Sequence, residues 1–266
     1  SSLKEWMKRQ LLRGYSAGIV AGSESRAYLR KLGMKAEIIE QPWDVVDNTK
    51  FSQVTAKISS YAPTLGQRPF LCVGRFIPEK NHALLIKSYA HYQTQGGTRP
   101  LLIIGHGPLQ KDIQADCFQL PRPDLVTMMP FVQQDDLAGY YGNSYALILP
   151  SRKDTWGLVV NEAISSGIPV IVSSACGCAC DLIEHNITGW CFSTEDFSDL
   201  ASCIWHADMQ TLEDRELMTK AARLKLEDFS PLAFANGLQK ACNHAIKSRQ
   251  SSSRSFLTSY LMQSML

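Results

Sequence analysis

Long hydrophobic runs are missing from this chain. The longest of them in its 266 residues, such as LLII at 101–104, have the size of one buried strand and fall far short of the ~20 residues of a membrane-spanning helix. An excess of one charge is missing as well. Lys and Arg number 27 against 25 Asp and Glu, a formal net charge of +2. Nucleic-acid binding usually rests on a strongly basic face, so no nucleic-acid partner is expected. No Gly-x-Gly-x-x-Gly follows the first strand of the alternating region described below, which argues against a dehydrogenase or epimerase. No Asp-x-Asp pair is present to hold a metal. Secretory signal character is absent from Ser1 onward. The expected location is cytoplasmic, with peripheral attachment to a membrane as its variant.

Cysteine, by contrast, is plentiful, with eight residues, yet it is not spaced as a disulfide framework. Cys72 falls in a strand pattern, and Cys117, Cys203 and Cys242 fall in helical ones, where Cys acts as a small apolar residue. Cys176, Cys178 and Cys180 alternate along one segment and could bind a metal. Structural zinc sites, however, pair two such thiols with a second ligand pair elsewhere, and none is evident. Reduced, structural thiols are the expectation, and no metal.

From residue 69 short apolar runs alternate with helical patterns. The strand-like runs are 69–74, 100–105, 125–131, 145–150, 169–174 and 189–192; the helical patterns between them are 82–93, 109–118, 134–143 and 157–166, then a short 181–183. Continuous apolar strands separated by helices predict an α/β fold with a doubly wound parallel sheet. Ligands bind such sheets at the carboxyl ends of the strands. Arg75, Gly105, Phe131, Asp154 and Gly177 are all predicted to sit there.

The stretch PSRKDTWGLVVNEA at 150–163 carries the most chemistry. A strand runs into a polar loop with Asp154, then Gly157, then a helix bearing Glu162. Amides at a helix start suit a diphosphate. One turn into that helix, Glu162 can accept two hydrogen bonds from a ribose diol, while Asp154, before the glycine, can hold a sugar hydroxyl. Arg75 and Lys80, at the end of the first strand and near the next helix, would neutralise the diphosphate and stabilise a departing nucleotide. Plainer readings stand beside these. Surface Lys and Arg are mostly solvated, loop aspartates often cap helices, and Trp156 reads as loop packing rather than a sugar platform. Glu162, however, lies among apolar neighbours, where a charge needs a partner.

This stretch resembles the donor-sugar motif of family 4 retaining glycosyltransferases, with Asp154 in place of the usual first Glu, Trp156-Gly157 in the middle and Glu162 as the second Glu. The resemblance continues through LCVGRFIPEKNHALLI (71–86), IIGHGPL (103–109), MMPFVQQDDLAGYYGNSYALILPS (128–151) and GIPVIVSSACGCACDLIEHNITGWCF (167–192), in the family's order. It implies a GT-B fold whose Rossmann-like C-terminal domain binds a nucleoside-diphosphate sugar. It implies catalytic roles for Asp154, Glu162, Arg75 and Lys80. Nucleotide contacts are implied at Gly74, Gly105, Phe131, Val132, Gly157, Leu158, Val159 and Glu162. Transfer would retain the anomeric configuration, with no cofactor or metal. The acceptor is open: a glycan, a lipid or a small molecule.

Residues 1–60 hold only two strand patterns, at 16–23 and 36–42, with helices before and between them. They read as the end of an acceptor-side Rossmann-like domain and its linker. Residues 61–247 read as the nucleotide-sugar domain with its closing helices, and 248–266 as a Ser-rich tail, mobile over the low-complexity 248–254 and ending in FLTSYLMQSML, which reads as a frayed end or a short docking helix. Lys4, Lys8, Arg9 and Arg13 read as a solvated helix face, with anionic lipid as the alternative partner. The alternative function is a truncated, non-catalytic nucleotide-sugar-binding remnant.

Overall fold

In the computed structural model the backbone is described for residues 2–58 and 68–263, and side chains for 3–53 and 68–248. The expected linker stretch at 59–67 and the side chains of the expected tail beyond 248 lie outside the described residues. Two compact units are present: residues 45–230, and residues 1–44 together with 231–266.

The larger unit contains a six-stranded sheet. Its strands are β3 (Phe70–Val73), β4 (Leu101–Ile104), β5 (Val126–Met129), β6 (Ala146–Leu149), β7 (Val170–Ser173) and β8 (Trp190–Phe192). They are ordered β5-β4-β3-β6-β7-β8, and every neighbouring pair is parallel. Period-two alternation divides their side chains between two faces. Phe70, Cys72, Leu101, Ile103, Ala146 and Ile148 join one buried cluster with residues of α4 (His82–Thr94), α5 (Gln110–Phe118) and α9 (Phe197–Asp208). Leu71, Leu147, Leu149, Val170 and Val172 alternate with them and are also buried. A second helix group, α3 (Asn48–Ile58), α6 (Gln134–Gly142) and α7 (Leu158–Ser165), packs together. Burial on both faces explains why the central strands read as unbroken apolar runs.

The strand order reverses at β3, whose two neighbours lead to opposite edges of the sheet. A doubly wound sheet opens a crevice at such a point, beyond the carboxyl ends of the strands. The segments after β3 and β6 therefore meet there, and they carry Arg75, Lys80 and Asp154.

In the smaller unit, α1 (Ser2–Leu12) and α2 (Ser23–Lys31) accompany a two-stranded parallel pair, β1 (Gly18–Ile19) and β2 (Ile39–Glu40). The expected strands at 16–23 and 36–42 are thus shorter than their apolar patterns suggested. Residues Ala36–Ile38 form a 3-10 turn instead. The last helix, α11 (Pro231–Gln263), packs on β1 and β2. It is held by an edge contact of Trp43 with Phe234 and by His244 against Glu40 at 3.3 Å. Its backbone is helical through 248–254, where a low-complexity tail was expected. That segment contains neither Gly nor Pro to stop a helix.

Helix α3 was not anticipated either, because its exposed face is polar. Its start is marked by Asp47, whose carboxylate accepts from the Lys50 amide at 3.0 Å. Phe51 is its buried anchor.

Candidate nucleotide-binding site

After β3 the chain runs through Gly74 and Arg75 into a 3-10 turn, Pro78–Lys80, and then Asn81 and α4. Lys80 turns back toward β6. Its Nζ lies 2.5 Å from Asp154 Oδ2, with both side chains less than one-fifth exposed. Arg152 N–H also donates to Glu79 O at 2.8 Å, which fastens the polar loop after β6 to the Lys80 turn.

A second clasp holds the loop from the other side. Asp154 bridges Cys176 in parallel fashion, Gly177 N–H donates to Asp154 O at 3.1 Å, and Cys178 N–H donates to Trp156 O at 3.0 Å. At Gly177 a Cβ would fall 2.2 Å from Thr155 O, so only glycine permits this approach. Trp156 is buried. It stacks on Phe229 with ring centroids 4.8 Å apart, and its Nε1–H donates to Asn161 Oδ1 at 3.0 Å. It packs the loop, as its plainer reading held. Asp154 thus stands on a backbone fixed from two directions.

Gly157 ends the loop with φ of +100°, in the left-handed region. It caps α7 without a side-chain hydrogen bond. The Leu158 and Val159 amides therefore open the helix with no intrahelical acceptor, the arrangement that suits a phosphate. Leu158 is exposed, and Val159 partly so.

Glu162, one turn further on, is 7% exposed. Its Oε2 accepts from the Tyr141 hydroxyl at 2.7 Å, and its Oε1 lies 3.4 Å from Gln134 Nε2. Burial pushes its carboxyl above the usual range, and the hydrogen bonds from Tyr141 and Gln134 pull the other way.

Not every expected residue is drawn into this constellation. Arg75 is exposed, and its side chain makes no hydrogen bond or ion pair among the described residues. Phe131 is 65% exposed in the segment after β5, with Val132 partly buried beside it. Gly74 leaves room for the Lys80 stem, and a Cβ at Gly105 would fall 2.0 Å from Gly74 O. That pair of glycines brings the ends of β3 and β4 into backbone contact.

The sequence reading did not single out Tyr141, Gln134 or His82. Tyr141 sits in an apolar helical pattern and reads as core until its hydroxyl is seen on Glu162. His82 opens α4 beneath Lys80. It is buried, it meets Phe76 edge-on at 5.1 Å, and neither ring nitrogen has a hydrogen-bond partner among the described residues.

Burial, reinforced by Lys80, lowers the pKa of His82 from 6.5 to about 4. A depressed histidine contributes stability that is present above the unfolded value and lost as pH falls through the folded one. Between pH 6.5 and 4 it should cost the fold roughly 3 kcal/mol, at 1.36 kcal/mol per unit. His82→Phe keeps an aromatic edge against Phe76. Denaturant midpoints at pH 7.5 and 5 should lie closer together in that variant than in the wild type; an equal difference in both would exclude His82 as the titrating group.

The cysteine cluster is apolar packing. Cys176 and Cys178 are buried and Cys180 is exposed, and none of the three is in a disulfide among the described residues. Burial pushes the Cys176 thiol up to about 12 and also holds the Cys178 thiol well above its ordinary value. Among the described residues no group of three or more His, Cys, Asp or Glu side chains is placed to hold a metal ion. No helix among them is long and apolar enough to cross a membrane.

The family model for glycosyl transferases group 1 matches residues 55–225, most of the larger unit. The chain belongs to that family. Among curated relatives, sulfoquinovosyl transferase SQD2 of Arabidopsis thaliana is 33% identical over 137 residues, covering 48% of this chain and 25% of that protein. Alpha-D-kanosaminyltransferase of Streptomyces kanamyceticus is 24% identical over 241 residues, covering 88% and 59%. The chain therefore spans less than two-thirds of the length of these relatives. In fold it is similar to Anabaena HepE, solved in complex with UDP and glucose, with a TM-score of 0.73 at 18% identity over 91% of this chain and 67% of that one. It is also similar to a sucrose-phosphate synthase of Thermosynechococcus elongatus, with a TM-score of 0.72 at 22% identity over 96% and 63%. The Rossmann-like α/β fold of the GT-B type is common to them.

Proposed function

We propose that the larger unit binds a nucleoside-diphosphate sugar and that the protein transfers the sugar with retention of configuration. The observation that carries this is the convergence at one sheet crevice of a Lys80–Asp154 pair at 2.5 Å, the open amides of α7 and the buried carboxylate of Glu162. Each element matches one part of such a donor. Lys80, joined by the exposed Arg75, meets the diphosphate together with the α7 amides. Glu162 accepts from the ribose hydroxyls. Phe131 and Val132 border the base. Once Lys80 turns to the phosphate, Asp154 is released to hold a sugar hydroxyl. With its charge met in this way the diphosphate requires no metal.

The crystal structures of HepE with UDP and with UDP-glucose support this donor class. Relatives named for polysaccharide and glycolipid synthesis support glycan or lipid acceptors, with small molecules as a further class. A cytoplasmic site of action, free or at a membrane surface, fits a cysteine-rich chain with no disulfide among the described residues.

The division of labour between the carboxylates is testable. Asp154→Asn should weaken a nucleotide sugar about tenfold and leave the nucleoside diphosphate unchanged, the scale of one charged hydrogen bond. Equal losses for both ligands would refute the sugar role. Proton NMR of the first-formed product in a competent reaction should show the donor's anomeric configuration; the inverted anomer would refute retention.

A further inference from the structure

Tyr141 lies on α6 rather than on the loop or helix of the motif, and it is wholly buried. Its hydroxyl donates to Glu162 Oε2 at 2.7 Å, whereas among the described residues the other carboxylate oxygen has only the 3.4 Å approach of Gln134. The phenol ring is itself wedged. Phe51 of α3 meets it edge-on, with centroids 5.9 Å apart and planes at 75°. α3 is tied in turn to α7 by Ser165 Oγ on Asn48 Oδ1 at 3.1 Å, one turn beyond Glu162. Three helices therefore fix the Tyr141–Glu162 contact, which holds one carboxylate oxygen closely while the other has only the long approach of Gln134 among the described residues.

We infer that Tyr141 is a positioning residue for the nucleotide: it holds Glu162 by one oxygen and leaves the other to accept from the ribose hydroxyls. The inference rests on the reading that Glu162 binds ribose. A glutamate side chain has three rotatable bonds, and an oxygen that must meet the ribose hydroxyls works best if they are fixed before the ligand arrives. Buried polar groups are hydrogen-bonded as a rule, so a merely structural Tyr–Glu contact would look the same in the fold. The two roles part at the ribose. A structural contact affects stability alone, whereas a positioning contact sets how strongly the protein distinguishes a ribose from a ribose lacking one hydroxyl.

The test is calorimetric titration of the full chain with the tightest-binding of UDP, GDP and ADP and with its 2′-deoxy analogue. The wild type should prefer the ribonucleotide about tenfold, on the scale of a hydrogen bond to a charged group. Tyr141→Phe, which keeps the ring against Phe51, should lower that preference to less than threefold while inorganic pyrophosphate binds as before. Site-specific 3-fluorotyrosine at 141 keeps the hydroxyl and makes it a stronger donor, so it should preserve or raise the preference even if the phenylalanine variant fails to fold. A wild-type preference near one overturns the ribose reading and with it the role of Tyr141. A wild-type preference that survives Tyr141→Phe, or that fluorotyrosine abolishes, overturns the positioning role alone.

Discussion

Replacing Lys80 by alanine is expected to weaken nucleoside-diphosphate binding by about 1.5–3 kcal/mol, the worth of a hydrogen bond to a charged group, or roughly ten- to 150-fold in Kd. Lys80 is held against the motif loop, 2.5 Å from Asp154, and it stands beyond the end of β3, where the sheet order reverses. Its removal also leaves Asp154 largely buried without its counter-charge. Breaking such a pair destabilises a fold, but partial exposure tempers the effect, and about 1 kcal/mol is expected in chemical denaturation. The double variant Lys80→Ala/Asp154→Asn should regain most of that stability and none of the affinity. Unchanged affinity in Lys80→Ala would reduce Lys80 to a structural partner of Asp154.

Glu162→Gln should separate function from stability in the opposite sense. Its carboxyl is pushed above 4.5 chiefly by burial, so the folded state favours the protonated form. Such an acid lowers stability as pH rises from the unfolded value through the folded one. Glutamine carries no charge and can still accept from Tyr141. The variant should therefore be at least as stable as the wild type at pH 7.5, with the difference vanishing below about pH 4.5 as the carboxyl protonates. Its affinity for nucleoside diphosphate and nucleotide sugar alike should fall by about 1.5–3 kcal/mol. A variant less stable at pH 7.5 yet unimpaired in binding would mark Glu162 as a structural residue.

The larger unit was legible in the sequence because its physics is local and periodic. Runs such as LLII and VIVS are buried on both faces and so carry no polar interruption, and their spacing leaves room for one helix between each pair. The carboxylates and Gly157 were legible for the same reason, since they follow a strand and open a helix. What escaped depends on contacts distant in sequence. Phe51 and Asn48 matter only once α3 lies on α6 and α7, and Tyr141 is indistinguishable from core until Glu162 is placed beside it. Gly177 was placed at a strand end, but its contact with Thr155 O comes from two loops meeting, which no local pattern encodes. The smaller unit was read least well. Its strand patterns are real, but each strand pairs with a single partner for only two residues, and a ladder that short leaves most of the apolar run outside regular structure.

The central claim is a nucleoside-diphosphate site at the carboxyl ends of β3 and β6, and titration of the purified 266-residue chain with UDP, GDP and ADP by isothermal calorimetry tests it most directly. The account predicts saturable binding of at least one of the three, with Kd between micromolar and millimolar, weakened at least tenfold in both Lys80→Ala and Glu162→Gln. No binding of any of them, or binding that both variants leave intact, would contradict it.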